Sequence, residues 1–183
     1  MHKLALGLVI TLLATATYAQ ETNAYKTRIE GYEAQTNTVI IKGYGQIGSF
    51  SVTSGTVTVR CKEDLDMTHG SKLYGIVVDF SGDGVSRLAA VVDDDELDPL
   101  LDGLDYLAKI TSSASQMPAF EAGITTKSGL RIEAHSNRRQ SGITYQFELD
   151  DRFRMPLSTD QVVQLENLVI QSKKYLDDLK RAQ

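Results

Sequence analysis

Leu97, Leu100, Leu101, Leu104 and Leu107 recur at the three- and four-residue spacing of one helical face, and Val162, Leu165, Leu168, Val169, Leu176 and Leu179 repeat the pattern near the end of the chain. Both runs predict amphipathic helices. Asp93 with Glu96 and Ser158 with Gln161 supply their N-terminal capping pairs. Asp93, Asp94 and Asp95 then stand at the positive end of a helix dipole, which accounts for them without a metal. Elsewhere the period is two. Ile143, Tyr145, Phe147 and Leu149 point to one side of a strand and Thr144, Gln146, Glu148 and Asp150 to the other, so their sheet has one wet face. Val57, Val59 and Cys61 share a strand face in the same way. Leu73 to Phe80 and Leu88 to Val92 are apolar on both faces, which predicts a central hairpin covered on both sides, by the N-terminal segment or by the other half. Tyr25 to Asn37 is polar and predicts no definite element.

These signals come in the same order twice. Ser54-Gly55 and Ser128-Gly129 each join two strands; a polar loop, a strand, a turn, a fourth strand and a capped helix follow. The expected fold class is therefore α+β, with two tandem ββββα repeats over residues 38–110 and 119–180. Each repeat forms an antiparallel sheet with one helix, and 46–110 is expected to superpose on 119–180. Thr111 to Pro118 reads as the linker between them. Residues 20–183 are expected to make a single domain.

The first residues predict export. Lys3 is a positive start, Leu4 to Leu13 is apolar apart from Gly7 and Thr11, and Thr17-Tyr18-Ala19 places small residues before a cut between Ala19 and Gln20, with Thr17 as a second possible start. An apolar run of roughly ten residues falls short of the about 20 that a membrane helix needs. Residues 1–19 thus read as a signal peptide and the remainder as secreted or periplasmic. The chain carries 24 acidic and 19 basic residues, a net charge of −5, made one unit more negative by loss of Lys3 with the leader. A negative surface disfavours general nucleic-acid binding. The single cysteine, Cys61, excludes an intramolecular disulfide and is expected to be a buried thiol.

Two resemblances follow from the element order and from local runs. A ββββα unit occurring twice resembles the topology of Whirly-type single-strand nucleic-acid-binding proteins, although the lysine-rich strand motif of that family is absent. GYGQIGSFSV, GTVTVRCKE, YGIVVDF, DDDELDPLLDGLDYLAKI and FEAGITTKSGLRI, spread over most of residues 38 to 134, resemble a family of small bacterial proteins of uncharacterised activity. That likeness implies the architecture and no chemistry.

Gly43-Tyr44-Gly45-Gln46-Ile47-Gly48 matches G-x-G-x-x-G, but β-forming residues follow it where a dinucleotide site needs a helix N-terminus, so a strand bend or bulge is expected. Asp79 to Gly84 matches the start of a calcium loop, yet the twelfth position is Ala90 in place of the bidentate glutamate, and a hairpin is expected. No metal site and no cofactor are expected. His69 and His135 each lie in or beside the loop between the second and third strands of their half. His135, Arg138 and Arg139, with Arg131 and Lys127 nearby, form the one concentrated basic region, a solvated turn or a small site for an anionic group. Val163 and Ile170 lie seven residues apart, off the middle of the second helix's stripe, and are candidates for a contact with the first helix or a second copy. The sequence supports an exported, non-enzymatic binding or interaction domain for an unknown protein or small anionic ligand. An enzyme assembled from distant loops and a single-strand nucleic-acid binder are the alternatives.

Overall fold

The alternating stretches form two antiparallel four-stranded sheets in the computed structural model, which describes residues 25–182 except 83, 138–139 and 150–152, with backbone only at 85, 86, 140 and 141. Sheet 1 has β1 (Ile40–Val52), β2 (Gly55–Asp66), β3 (Lys72–Gly82) and β4 (Val85–Asp93) in sequential order. Sheet 2 repeats that order with β5 (Ala119–Thr125), β6 (Leu130–Asn137), β7 (Gln140–Leu149) and β8 (Phe153–Leu157). Each run of four strands passes into a helix, α2 (Leu97–Lys109) after a 3₁₀ turn at Asp94–Glu96, and α3 (Thr159–Arg181) directly behind its cap Ser158. The α+β class and antiparallel pairing thus agree with the pattern. Pro156 sits in β8, an edge strand, where its missing N–H costs no ladder bond.

The segment that predicted no element contains α1 (Arg28–Glu33), closed by a capping box between Thr27 and Glu30. It packs on the outer face of sheet 1 and covers one end of the central hairpin. Ile29, 1 % exposed, is its only buried side chain. Ile29 fits there because Gly75 has no side chain; a Cβ on Gly75 would lie 2.6 Å from Ile29 Cδ1.

The helices are exchanged between the sheets. α3 follows sheet 2 but lies along β1 and β2 of sheet 1. A Cβ on Gly48 would lie 2.6 Å from Leu168 Cδ2, Tyr175 rests on Gly45, and Gln161 Nε2 donates to the Ser51 carbonyl at 2.9 Å. α2 follows sheet 1 but lies on β5 and β6, and Tyr145 on β7 donates to the Leu107 carbonyl at 3.0 Å. The two helices pack together, with Lys173 3.5 Å from Asp98 and Lys180 2.7 Å from Asp94, so they run antiparallel. The leucine and valine stripes of both helices and the inner faces of both sheets therefore form one core, with Phe80 of β3 stacked on Phe153 of β8 at 4.2 Å.

The glycine-rich run belongs to this packing. It is continuous strand, with a register shift between Gln46 and Gly48 that turns both Gly45 and Gly48 toward α3. The closest helix–sheet approach of the other pair is at Gly103, where a Cβ would lie 2.8 Å from Ile124 Cβ. Gly103→Val is expected to cost roughly 1–3 kcal/mol by overpacking, and Ile124→Ala in the same chain is expected to recover part of that loss. Urea denaturation of the two single variants and the double variant measures it; strictly additive losses would mean that α2 does not press on β5.

Candidate functional site

Among the described residues, no helix packs on the outer face of sheet 2. Its cross-strand rows bring Glu121, His135 and Thr144 side by side on β5, β6 and β7. At this end of the sheet, beside the β6–β7 turn, a cavity of about 620 Å3 is lined by Phe120, Glu121, His135, Ser136, Asn137, Ile143 and Thr144, among others. Volumes of this size hold small ligands. The His135 ring lies between two carboxylates, with Nδ1 3.4 Å from Glu121 and Nε2 3.6 Å from Glu133. Its Nε2 is buried without a hydrogen-bond partner. Arg131, four residues before His135 on the same face, lies 3.3 Å from Glu133 and donates to Thr125 at 3.2 Å. The structure thus brings His135 and Arg131 onto one surface, together with Glu121 and Glu133. Arg138 and Arg139 lie outside the described residues, as do Ala19 and Gln20 at the expected cut. Lys127 is elsewhere: its amide donates to Glu96 and its ammonium group lies 3.3 Å from Asp95, at the start of α2.

Val163 and Ile170 are 38 % and 46 % exposed on α3. The contact between α2 and α3 does not bury either one. Cys61 is buried and free; burial pushes its thiol up to about 11, and it donates to the Ser172 carbonyl at 3.5 Å. Asp93 helps to cap the start of α2 as expected, and its carboxylate also accepts from the Arg28 and Ile29 amides at 2.7 and 3.1 Å, tying α1 to sheet 1. Asp79 is held by Arg60 at 2.7 Å and Arg87 at 2.8 Å; burial pushes its carboxyl up, but the two guanidinium groups outweigh that and hold it below its ordinary value. Asp83 lies outside the described residues. Asp66 anchors the β2–β3 turn, accepting from the Thr68 amide at 2.7 Å and lying 2.6 Å from His69 Nδ1, and those bonds hold its carboxyl below its ordinary value. Among the described residues no group of three or more His, Cys, Asp or Glu could hold a metal ion, and no helix is long and apolar enough to cross a membrane.

A second cluster was not anticipated from the sequence. On the outer face of sheet 1, beneath α1, Lys62 is 2 % exposed. Its ammonium group lies 2.6 Å from Glu33, 3.0 Å from Asp64 and 3.0 Å from the Tyr44 hydroxyl. Lys42 also reaches Glu33 at 2.6 Å. Burial pulls the Lys62 ammonium down, but Glu33, Tyr44 and Asp64 raise it further, so it stays charged. Arg60, Lys62, Asp64 and Asp66 alternate with Val59, Cys61, Glu63 and Leu65; that period-two run of charges was the available signal.

No protein-family model, no curated protein and no solved structure matches the chain. The likeness to Whirly-type proteins therefore rests on element order alone.

Proposed function

We propose that the chain is an exported binding domain and that its ligand docks at the β6–β7 end of sheet 2, in the cavity around His135. The observation that carries this reading is the coincidence of that cavity with His135, the histidine of the basic segment, on a sheet face that no helix among the described residues covers. In the described part of the site, Glu121 and Glu133 flank His135, and Glu133 also pairs with Arg131. In the sequence Arg138 and Arg139 follow directly on Asn137, which lines the cavity, and they add two positive charges to that segment. A small oxyanion or an anionic group of a larger partner fits that balance, with guanidinium forks as donors. Export rests on the leader at residues 1–19, and the reading of the two ββββα units as tandem repeats rests on their matched element order. Val163 and Ile170 are the proposed contact with a second copy.

The test is a titration of the isotope-labelled protein with inorganic phosphate, followed by amide chemical shifts. Saturable shifts confined to residues 119–121 and 135–144, abolished by Arg138→Ala with Arg139→Ala, are expected. Absent or non-saturating shifts would refute an anion site there.

A further inference from the structure

α1 is fastened to sheet 1 mainly through polar contacts. Beyond Ile29 and the two amides on Asp93, the Tyr32 hydroxyl donates to the Ser71 carbonyl at 2.6 Å and accepts from the Asp66 amide at 3.1 Å. The last residue of the helix, Glu33, bridges Lys42 and Lys62. Directly below lies Asp64, with no exposed surface and with neither carboxyl oxygen in a hydrogen bond. Lys62 is 3.0 Å from its Oδ1 but off hydrogen-bonding alignment. A buried carboxylate in that position is costly, and a buried carboxylic acid much less so.

We propose that α1 is a pH-sensitive strap, closed while the buried Asp64 carboxyl is protonated beneath Glu33 and opened when Asp64 ionises, so that Lys62, Asp64 and the adjoining outer face of sheet 1 become accessible. Opening follows from repulsion. Two ionised carboxylates then compete for Lys62; Asp64 shares its strand, so Glu33 leaves with α1. The ionisable groups around the seat are Arg28, Glu30, Tyr32 and Glu33 from α1, Lys42 and Tyr44 from β1, and Lys62, Asp64 and Asp66 from β2. His69 reaches Asp66 from the following turn, β3 contributes Gly75, and Asp93 of β4 holds the helix amides, with Asp95 and Lys127 beyond it.

Burial first, and then the neighbouring Glu33, push the Asp64 carboxyl above its ordinary value against the pull of Lys62. Docking of α1 therefore weakens as pH rises through that elevated value. Burial also pushes Glu33 up, but Lys42, Lys62 and Asp64 outweigh it and hold Glu33 below its ordinary value. Docking is therefore also lost as pH falls through that depressed value. The strap is tightest between the depressed Glu33 value and the elevated Asp64 value, and loosens above the latter. It stands independently of the site on sheet 2.

Hydrogen exchange of the whole protein tests it, with each amide's rate normalised to its unstructured rate at the same pH. Protection of the Ile29 and Gly31 amides is expected to fall several-fold from pH 5 to pH 8 while that of Val77 in β3 holds, and the fall is expected to vanish in Asp64→Asn. Unchanged protection, a parallel fall at Val77, or a persisting fall in Asp64→Asn would overturn the strap. Should Asp64→Asn not fold, the carboxyl carbon shift of Asp64 in the native protein decides. Titration that tracks the loss of α1 protection supports the proposal, and titration at any other pH overturns it.

Discussion

Severed within the 111–118 linker, neither half of the chain is expected to fold alone. Fragment 25–112 keeps sheet 1 and α2 but loses α3, the helix that covers Val57, Val59, Ile76 and Val78. Val162, Leu165, Val169 and Leu176 of α3 are all fully buried. Side chains of this size contribute roughly 1.5–3 kcal/mol each on burial, and four together rival the about 5–15 kcal/mol net stability of an ordinary domain. Fragment 113–183 loses α2, which lies on β5 and β6, and the sheet 1 residues that share its core. Circular dichroism and amide dispersion of each fragment, and of an equimolar mixture, measure the effect. Disordered fragments that regain a dispersed spectrum on mixing are expected; a folded 25–112 on its own would refute the exchange.

Lys62→Met is expected to be the most damaging single replacement on the polar side of sheet 1. Removing one partner of a buried ion pair leaves the others uncompensated, at a cost of about 3–5 kcal/mol. Here Asp64 and Glu33 would face each other without the intervening ammonium group. That cost applies while α1 is docked over Lys62, below the elevated Asp64 value, and shrinks as α1 opens. Lys62→Met combined with Asp64→Leu should recover most of the loss, since an apolar pair of similar volume avoids the desolvation penalty. Urea midpoints at pH 5, with α1 docked, measure both effects. A loss within 0.5 kcal/mol, roughly that of an ordinary surface substitution, would mean that Lys62 is not buried in solution.

The helices α2 and α3 were legible because Leu97, Leu100, Leu104 and Leu107, or Val162, Leu165, Val169 and Leu176, state their period without help from any distant residue. The same stripes are silent about their partner. An amphipathic face reports that it is buried, and the exchange of helices between sheets is decided by close approaches at Gly45, Gly48 and Gly103 whose counterparts lie far away in the chain. α1 escaped notice because Ile29 is its one buried residue. The Thr27-x-x-Glu30 capping pair was the local clue. The Lys62 cluster was hidden for a related reason: alternation of charge along β2 reads as a wet face, and only α1 packing above it turns that face into an interior. At the candidate site, Arg131, Glu133 and His135 could be placed on one strand face from period two, whereas Glu121 entered only with the cross-strand register.

The exchange of helices is the central claim, and proton–proton nuclear Overhauser contacts in the intact protein test it most directly. Exchange predicts contacts from the Tyr175 ring to the α-protons of Gly45, and from the α-protons of Gly103 to the Ile124 side chain. Contacts from the Tyr175 ring to the inner face of β6 or β7, with none to β1, would place α3 on its own sheet and contradict the architecture.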